Sequence, residues 1–476
     1  MFVSKGKLFT FFLAILFVSL VVLLLLDQAN AQGSGDYRIY LPSVTQPMGT
    51  LPPPADPVNF GVVLDKERPL RSADVAIDGQ NGLHFAYIAD TSNTIHYAYC
   101  PATNLANCAN PTTWEIASLN RTETFVQIGL TPQGQPRLWL KNGNVHPIYS
   151  YAECNNACTN AQNWTIVDLV ESFEWFGDPR EFDWHLDTFI MYQGHPRLVY
   201  NYTHNTDTNL YGLYYAGCDG NCTDANNWFS TKIAQNNDLS RPVLALSASG
   251  QPRIIGNSIG LTNMFVYMEC NQACESAASW SNLLPLFPRG DGAYTDFPSW
   301  SLEVNQQNGG PRVAYHFADI GTYYMWCNSG CTNLDNWYVN DNAIVIGENG
   351  QTPNLALDAQ GRPRLAFRDN SQDGLGYAYC DSNCESSQPQ WHVMQAEASG
   401  VLDQTYPVPP FYNCTEGDWV SGLRPALALD SQGNPRIAFD GDHLQNCYYG
   451  LPENNPPYWK VEKKWWASRL LAFPQP

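Results

Sequence analysis

Charged side chains recur at equivalent places along this chain, where a polar ligand could be bound. They are Arg241, Arg368, Asp369, Arg424, Asp440, Asp442, His443, His316 and Asp319. A guanidinium group binds a carboxylate through two parallel hydrogen bonds, and a carboxylate accepts hydrogen bonds from hydroxyl groups. The set predicts a polar ligand site. The alternative is a solvated loop surface, because charged side chains are exposed to water in most proteins.

One long stretch, Glu171 to Asp187, mixes aromatic and acidic residues in a way that suits a sugar. Its candidate ligand-binding residues are Trp175, Asp183, Trp184 and His185. Aromatic faces pack against the C–H faces of sugars, and carboxylates accept hydrogen bonds from the hydroxyls. The equally open alternative is a long loop that packs its own aromatic residues onto the rest of the protein.

The spacing of the 14 cysteines predicts disulfides. Six pairs lie close in sequence: Cys100 with Cys108, Cys154 with Cys158, Cys218 with Cys222, Cys270 with Cys274, Cys327 with Cys331, and Cys380 with Cys384. Most read C-x3-C-x5-W with no histidine at ligand spacing, whereas zinc needs four ligands. Cys414 and Cys447 remain, and we expect a long-range disulfide between them. Asp369 to Gly374 resembles the start of a calcium loop but lacks the closing glutamate, so no metal or other cofactor is predicted.

These residues are carried by a repeat. In the copy from Leu355 to Trp391, an apolar strand is followed by a turn, a Pro-Arg pair, a Tyr-rich strand, two cysteines and a tryptophan. The pair recurs at Pro136-Arg137, Pro196-Arg197, Pro252-Arg253, Pro311-Arg312, Pro363-Arg364 and Pro435-Arg436, with Leu83-His84 in register in a degenerate first copy. Because the arginine repeats around the chain, we interpret it as a structural residue that makes an interblade hydrogen bond.

Seven copies of four short strands predict an all-β fold, a seven-bladed β-propeller of antiparallel blades stapled by disulfides. The turns after the first and third strands of a blade lie on one face. Here they are short and repetitive. The second-to-third-strand turns and the blade connections lie on the other face and vary in length, so a ligand site is expected there. In the seventh copy, Tyr458-Trp459 is expected to start the fourth strand.

The repeat resembles that of the sialidase-like, Asp-box (BNR) superfamily of secreted propellers, over residues 60 to 466. The C-x3-C-x5-W segment stands where those proteins have an Asp-box. The resemblance implies a propeller and leaves a glycoside hydrolase as one alternative, which would use arginines for a sugar carboxylate. However, the first-blade F-R-I-P-type motif and a Tyr-Glu pair for catalysis are missing.

Composition restricts the remaining possibilities. Residues 1–31 read as a signal peptide or signal anchor, 32–57 as a Pro/Gly-rich linker, 58–466 as the propeller and 467–476 as a tail. We therefore expect an extracytoplasmic protein, secreted or at the cell surface, that touches a membrane only through an uncleaved N-terminal segment. A net charge of -20 argues against nucleic acid. The expected role is a monomeric module that binds a glycan, with a protein–protein interaction platform as a further alternative.

Overall fold

The computed structural model describes residues 60–62, 70–89, 94–101, 107–142, 149–170, 188–202, 212–235, 240–258, 264–288, 300–317, 321–346, 350–405, 419–449 and 459–475. All of them belong to a compact unit that spans Ser43–Pro476. Within these ranges, no helix is long and apolar enough to cross a bilayer.

The described chain is almost entirely β-strand. In the first half the strands are β1 (Phe60–Val62), β2 (Leu70–Ile77), β3 (Leu83–Ala89), β4 (Thr94–Cys100), β5 (Glu115–Thr122), β6 (Phe125–Leu130), β7 (Pro136–Lys141), β8 (Tyr149–Cys154), β9 (Trp164–Val170), β10 (Phe189–Tyr192), β11 (His195–Tyr202), β12 (Gly212–Cys218) and β13 (Trp228–Gln235). In the second half they are β14 (Ser240–Leu246), β15 (Pro252–Ser258), β16 (Met264–Glu269), β17 (Leu284–Pro288), β18 (Trp300–Val304), β19 (Pro311–Phe317), β20 (Gly321–Cys327), β21 (Trp337–Val339), β22 (Val345–Ile346), β23 (Gln351–Leu357), β24 (Pro363–Asp369), β25 (Gly374–Cys380), β26 (Trp391–Glu397), β27 (Trp419–Leu429), β28 (Pro435–Tyr449) and β29 (Trp459–Ala472). A short helix, α1 (Gly400–Thr405), lies between β26 and β27.

These strands form seven antiparallel sheets, which confirms the predicted seven-bladed propeller. Blades 1 to 6 are β2–β5, β6–β9, β10–β13, β14–β17, β18–β22 and β23–β26, where β22 is a short addition to blade 5. Blade 7 is β27, β28 and β29 with β1 as its outer strand. The ring is thus closed by a strand from the N-terminal side that pairs with the last strand of the chain.

The core lies between the blades, because the inner strands of each blade bury both of their faces. In β24, Leu365 and Phe367 pack toward blade 5, while Ala366 packs toward blade 7 beside Phe439. All four side chains are completely buried. Seven such apolar clusters occupy the seven blade interfaces, and one of them joins blade 7 to blade 1. The alternation in the sequence therefore divides residues between two neighbouring clusters.

Polar residues on inner strands also bind the next blade. In each case a side-chain oxygen accepts a hydrogen bond from a backbone N–H of the following blade's first strand. These bonds run from Ile128 to Asp74 at 2.9 Å, from Leu355 to Ser301 at 3.0 Å and from Leu427 to Asn354 at 2.8 Å. Such bonds satisfy buried polar groups and fix how far each blade slides along its neighbour.

The six predicted short-range disulfides are confirmed. The bridges join Cys100 to Cys108, Cys154 to Cys158, Cys218 to Cys222, Cys270 to Cys274, Cys327 to Cys331, and Cys380 to Cys384. In blades 1, 2, 3, 5 and 6 the first cysteine ends the third strand, and in blade 4 Cys270 follows directly after it; the second cysteine lies in the turn that follows. Each bridge therefore staples that turn to its own blade.

The tryptophan that follows each pair explains the C-x5-W spacing. The Trp164 indole N–H donates to the Cys158 carbonyl at 2.7 Å, and its ring meets Tyr97 of blade 1 edge-on at 5.1 Å. The same indole bond reaches the second cysteine of four other blades, at the carbonyls of Cys108, Cys222, Cys274 and Cys331. Blade 6 departs from this pattern: its motif has one extra residue, and Trp391 donates to Asn340 of blade 5 rather than to Cys384. We call this side of the propeller the disulfide face, and the opposite side the variable face.

The repeated arginine is structural, as expected, but its described hydrogen bonds run mainly within its own blade, and the expected interblade bond is made by Arg312. In blade 6, Arg364 donates to the carbonyls of Pro363 and Cys380 at 3.1 and 2.8 Å, and to Asp358 and Asp381 at 2.9 and 2.7 Å. All of these partners belong to the same blade. Arginine suits this place because its fork of donors satisfies several oxygens at once. Arg312 adds one bond across a blade interface, to Glu385.

Blade 7 corrects two further expectations. Trp459 opens the third strand of that blade, because β29 pairs with β28, and β1 supplies the fourth strand. Cys447 accordingly lies in the second strand, β28. Strand β29 continues to Ala472, beyond the expected end of the propeller at residue 466. Cys414 and the Cys447 side chain lie outside the described residues, so their expected disulfide stays a prediction.

Candidate functional site

Three first strands open on the variable face with an unusual backbone. The dihedral φ is 50° at Arg241, 49° at Thr352 and 49° at Arg424, in blades 4, 6 and 7. Each residue precedes a proline and lies in a β-bulge of its strand pair. A left-handed backbone is costly for residues other than glycine, and such outliers cluster at functional sites. The predicted equivalence of Arg241 and Arg424 therefore extends to their backbones.

Arg424 anchors a charged cluster at the variable-face end of blade 7. Its Nε donates to Asp440 Oδ2 at 3.1 Å, and its Nη2 lies 3.9 Å from Asp442 Oδ1. Asp440 is fully buried, whereas the Asp442 side chain is 24% exposed. Both carboxylates project from the same side of β28, since they are two residues apart in a regular strand. Asp442 is thus the member of this cluster that a ligand can reach.

Arg368 brings a second guanidinium to this cluster from blade 6. Burial lowers its pKa, while Asp373 and Asp442 act in the opposite direction. The guanidinium of Arg368 in blade 6 is therefore within electrostatic range of the carboxylate of Asp442, which Arg424 approaches in blade 7. The backbone N–H of Ser421 also donates to the Asp373 carbonyl at 2.9 Å, which joins the two blades at this place. We call Arg368, Arg424, Asp440 and Asp442 the blade 6–7 cluster.

The other predicted residues take different roles. Asp369 is completely buried, and its Oδ1 accepts hydrogen bonds from the Ser371 N–H and hydroxyl at 3.0 and 2.7 Å. This arrangement shapes its own turn, and burial raises the pKa of its carboxyl group. The His443 ring meets Trp419 edge-on at 5.3 Å. In blade 5, burial lowers the pKa of His316 to about 4.

Several predicted residues lie outside the described residues: Trp175, Asp183, Trp184, His185 and Asp319. Their proposed role in ligand binding stays a prediction. Among the described residues, no group of three or more His, Cys, Asp or Glu side chains is arranged to hold a metal ion.

A central cavity of about 410 Å³ lies along the propeller axis. Inner strands of blades 3 to 7 line it, with Glu303, Gln306 and Asn354 among apolar side chains such as Leu244 and Leu302. Its position follows from the ring, because first strands surround the axis of a propeller. Sequence reasoning proposed a central pocket but did not identify these residues.

A larger cleft of about 670 Å³ opens on the disulfide face between blades 1 and 2. It lies at the degenerate first copy, where His84 replaces the repeated arginine. His84 Nδ1 lies 2.7 Å from the Tyr97 hydroxyl, and its Nε2 lies 3.3 Å from Asp78 Oδ2. That carboxylate has a pKa lowered to about 2, chiefly through its hydrogen bond with His84. The missing arginine is visible in the sequence, but the short, repetitive turns of this face predicted a purely structural role for it.

Comparison with known proteins adds likenesses of fold. No protein-family model matches the sequence, and no curated protein matches it. Among solved structures, a PL25 ulvan lyase is 11% identical with a TM-score of 0.41, covering 70% of this chain and 81% of its own. AofleA from Arthrobotrys oligospora is 10% identical (TM-score 0.38, 70% and 89% covered), and the SapL1 lectin, solved with alpha methyl fucoside, is 9% identical (TM-score 0.37, 82% and 95% covered). Likenesses at this level of identity concern the propeller fold alone.

Proposed function

We propose that this protein is an extracytoplasmic binding module that recognises a carbohydrate on its variable face. The observation that carries the proposal is the blade 6–7 cluster, in which Arg424 lies 3.9 Å from one partly exposed carboxylate, Asp442, within electrostatic range of Arg368 in the neighbouring blade. Fixed donors and acceptors at a blade junction suit a ligand that presents several hydroxyls. The strained backbone of Arg424 supports this reading, because strain is retained where it positions a functional side chain.

The cellular context belongs to the same proposal. Six disulfides favour an oxidising compartment. We infer that the protein is exported by its N-terminal segment, that residues 32–57 serve as a linker, and that it acts as a monomer on a glycan or a glycan-bearing surface protein. Membership of the sialidase-like, Asp-box superfamily is part of this inference, with disulfides in the place of Asp-boxes.

A glycan array probed with the full-length protein and with Asp442→Asn tests the site. The asparagine keeps the volume but removes the negative charge beside Arg424, so we expect the signal to fall at least tenfold. Arg362→Gln is the matched control, because Arg362 is 39% exposed on the disulfide face of blade 6. A double variant, Trp175→Ala/Trp184→Ala, tests whether the aromatic insertion takes part. Unchanged binding by Asp442→Asn would refute the site.

A glycoside hydrolase is the second candidate, and one observation favours it. Asp442 is a partly exposed carboxylate beside Arg424, and glycosidases use carboxylates near the scissile bond. Incubation with fluorogenic glycosides distinguishes the two functions. We expect binding without turnover. Hydrolysis that is lost in Asp442→Asn and retained in Arg362→Gln would replace the binding proposal with the enzymatic one.

A further inference from the structure

The cleft between blades 1 and 2 lies at the copy of the repeat in which the usual arginine is replaced by another residue. In blades 6 and 7, an acidic residue of the first turn binds the repeated arginine: Asp358 with Arg364 at 2.9 Å and Asp430 with Arg436 at 2.7 Å. In blade 1 the acid is kept as Asp78, but the arginine is His84. An imidazole is shorter than a guanidinium side chain. The space that arginine fills elsewhere is therefore available in blade 1.

The remaining side chains of blade 1 turn this space into a prepared site. Asp78 Oδ1 accepts two backbone hydrogen bonds, from Gln80 and Gly82 at 2.8 and 2.7 Å, which hold the carboxylate still. Asp78 Oδ2 has longer contacts, with His84 Nε2 at 3.3 Å and the Tyr99 hydroxyl at 3.5 Å. A ligand hydroxyl can form a shorter bond to this oxygen than either residue does. The site therefore offers a fixed acceptor.

Tyr99 supplies an aromatic surface beside that acceptor. Its ring lies 4.7 Å from the His84 ring and is only partly buried. Tyr97, by contrast, is buried in the blade 1–2 interface, where it packs against Trp164. The two tyrosines have different roles: Tyr97 belongs to the core, and Tyr99 is available to stack on a ligand that presents an apolar face.

Charge and polarity in the cleft select the class of ligand. The residues of the described chain that line it include the carboxylates Asp78 and Glu115 and no lysine or arginine, so an anionic ligand is repelled. Exposed carboxamides, Gln80, Gln133 and Asn156, add groups that both donate and accept hydrogen bonds. Vicinal hydroxyls have the same dual character. A volume of about 670 Å³ accommodates a mono- or disaccharide.

We propose that the blade 1–2 cleft is a second ligand site, specific for a neutral pyranoside, in which Asp78 accepts a hydroxyl hydrogen bond and Tyr99 stacks on the sugar's C–H face. This site lies on the disulfide face, so it is separate from the variable-face site and does not depend on it. A protein with sites on both faces can bridge two glycan chains, and that bridging raises its overall affinity for a glycan-rich surface.

The test uses ligand-observed NMR titration of the full-length protein with methyl glycosides of glucose, galactose, mannose and fucose. Methyl glucuronide serves as an anionic probe and choline as a cationic one. At least one neutral glycoside is expected to bind. In His84→Arg the side chain should pair with Asp78 as in blades 6 and 7, fill the cleft and reduce affinity at least tenfold. Binding by none of the neutral glycosides, or only by choline or glucuronide, refutes the proposal.

Two further variants keep the test decisive. Tyr99→Ala should weaken binding about tenfold, whereas Tyr379→Ala, the same strand position in blade 6, should change it less than twofold. If His84→Arg fails to fold, Tyr99→Ala decides: unaltered binding by that variant refutes the site. Asp341→Asn, at an exposed position outside both proposed sites, should leave this binding unchanged. If instead Asp442→Asn abolishes glycoside binding and His84→Arg retains it, the sugar binds on the variable face alone.

Discussion

The disulfide face and the variable face use the same residue types for opposite purposes. On the disulfide face, Arg364 and Asp358 repeat a pairing that blade 7 also contains, and both are nearly completely buried. On the variable face, Arg424 and Asp440 pair at 3.1 Å, but beside them Asp442 is 24% exposed. An ion pair that is repeated from blade to blade stabilises the fold, whereas an unrepeated ion pair that extends toward solvent is a candidate ligand site.

Blade 1 shows that this rule applies within one face as well. Its Asp78 follows the repeat, but its partner His84 does not, and a cleft opens there. The useful distinction is therefore between positions that obey the repeat and positions that depart from it, whichever face they occupy.

The largest expected effect is the loss of a repeated arginine. Arg364→Ala removes four hydrogen bonds, two of them to the carbonyls of Pro363 and Cys380, and leaves the buried Asp358 paired only with the partly exposed Arg362, so the free energy of unfolding should fall by about 3–5 kcal/mol. Urea denaturation measures this. Arg362→Ala is the control, since Arg362 is 39% exposed and its ion pair should contribute at most about 1 kcal/mol. Equal losses in both variants would show that the repeated arginine does not hold the frame.

A disulfide staple should contribute less. The Cys154–Cys158 bridge closes a loop with a sequence separation of 4. By restricting the unfolded chain, a bridge across such a short loop raises the free energy of unfolding by about 2 kcal/mol. Cys154→Ala/Cys158→Ala should therefore lower the midpoint of thermal unfolding modestly and leave binding on the variable face intact. Asn156→Ala, in the same loop with the bridge retained, should change stability by less than about 0.5 kcal/mol. A collapse of the whole propeller in the double variant would contradict the staple role.

The Asp78–His84 pair should give blade 1 a pH dependence in acid. The pKa of Asp78 is lowered from 3.8 to about 2, so its contribution to stability is fully present above pH 3.8 and is lost as the pH falls through 2. Asp78→Asn should flatten the decline of the unfolding free energy between these values. Asp341→Asn, at an exposed position, should keep the wild-type slope. Identical slopes in all three proteins would contradict the assigned cause.

The smallest expected effect is an increase in stability. Thr352 has φ of 49°, its side chain is buried, and its hydroxyl has no hydrogen-bond partner among the described residues. A β-branched residue is strained there, so Thr352→Gly should raise stability by up to about 1 kcal/mol. Thr165→Gly, in an exposed strand position, should instead lose roughly 0.5–1 kcal/mol. Destabilisation by Thr352→Gly would mean that the bulge holds no strain.

The repeat predicted the fold because it records strand and turn chemistry directly. The spacing of Cys158 and Trp164 predicted the staple, and the structure adds the reason, an indole bond to the cysteine carbonyl. Ring closure was not predictable in this way. A three-residue strand such as Phe60–Val62 has too few residues for a periodic pattern, and its pairing with β29 depends on tertiary contacts.

The candidate sites were predictable in part. Sequence register placed Arg424, Asp440 and Asp442 together at one end of blade 7, and they do lie together. The sequence register could not show that the Asp369 carboxylate accepts hydrogen bonds within its own turn, because those bonds depend on the side-chain rotamer. The blade 1–2 cleft was missed although His84 is visible in the sequence. The effect of replacing the repeated arginine by histidine can be judged only when the hydrogen bonds of that arginine in other blades are known.

The short strand that closes the ring also sets its mechanics. Strand β1 pairs with β29 over three residues, Phe60 to Val62, and Gly61 lies so close to Arg469 that a Cβ there would stand 2.5 Å from Nη2. A pull on the chain before Phe60 is transmitted to these three residue pairs first, whereas each complete blade shares a load over longer strands. The ring would therefore open at this seam before any blade unravels, and its tensile strength is set by these three residue pairs.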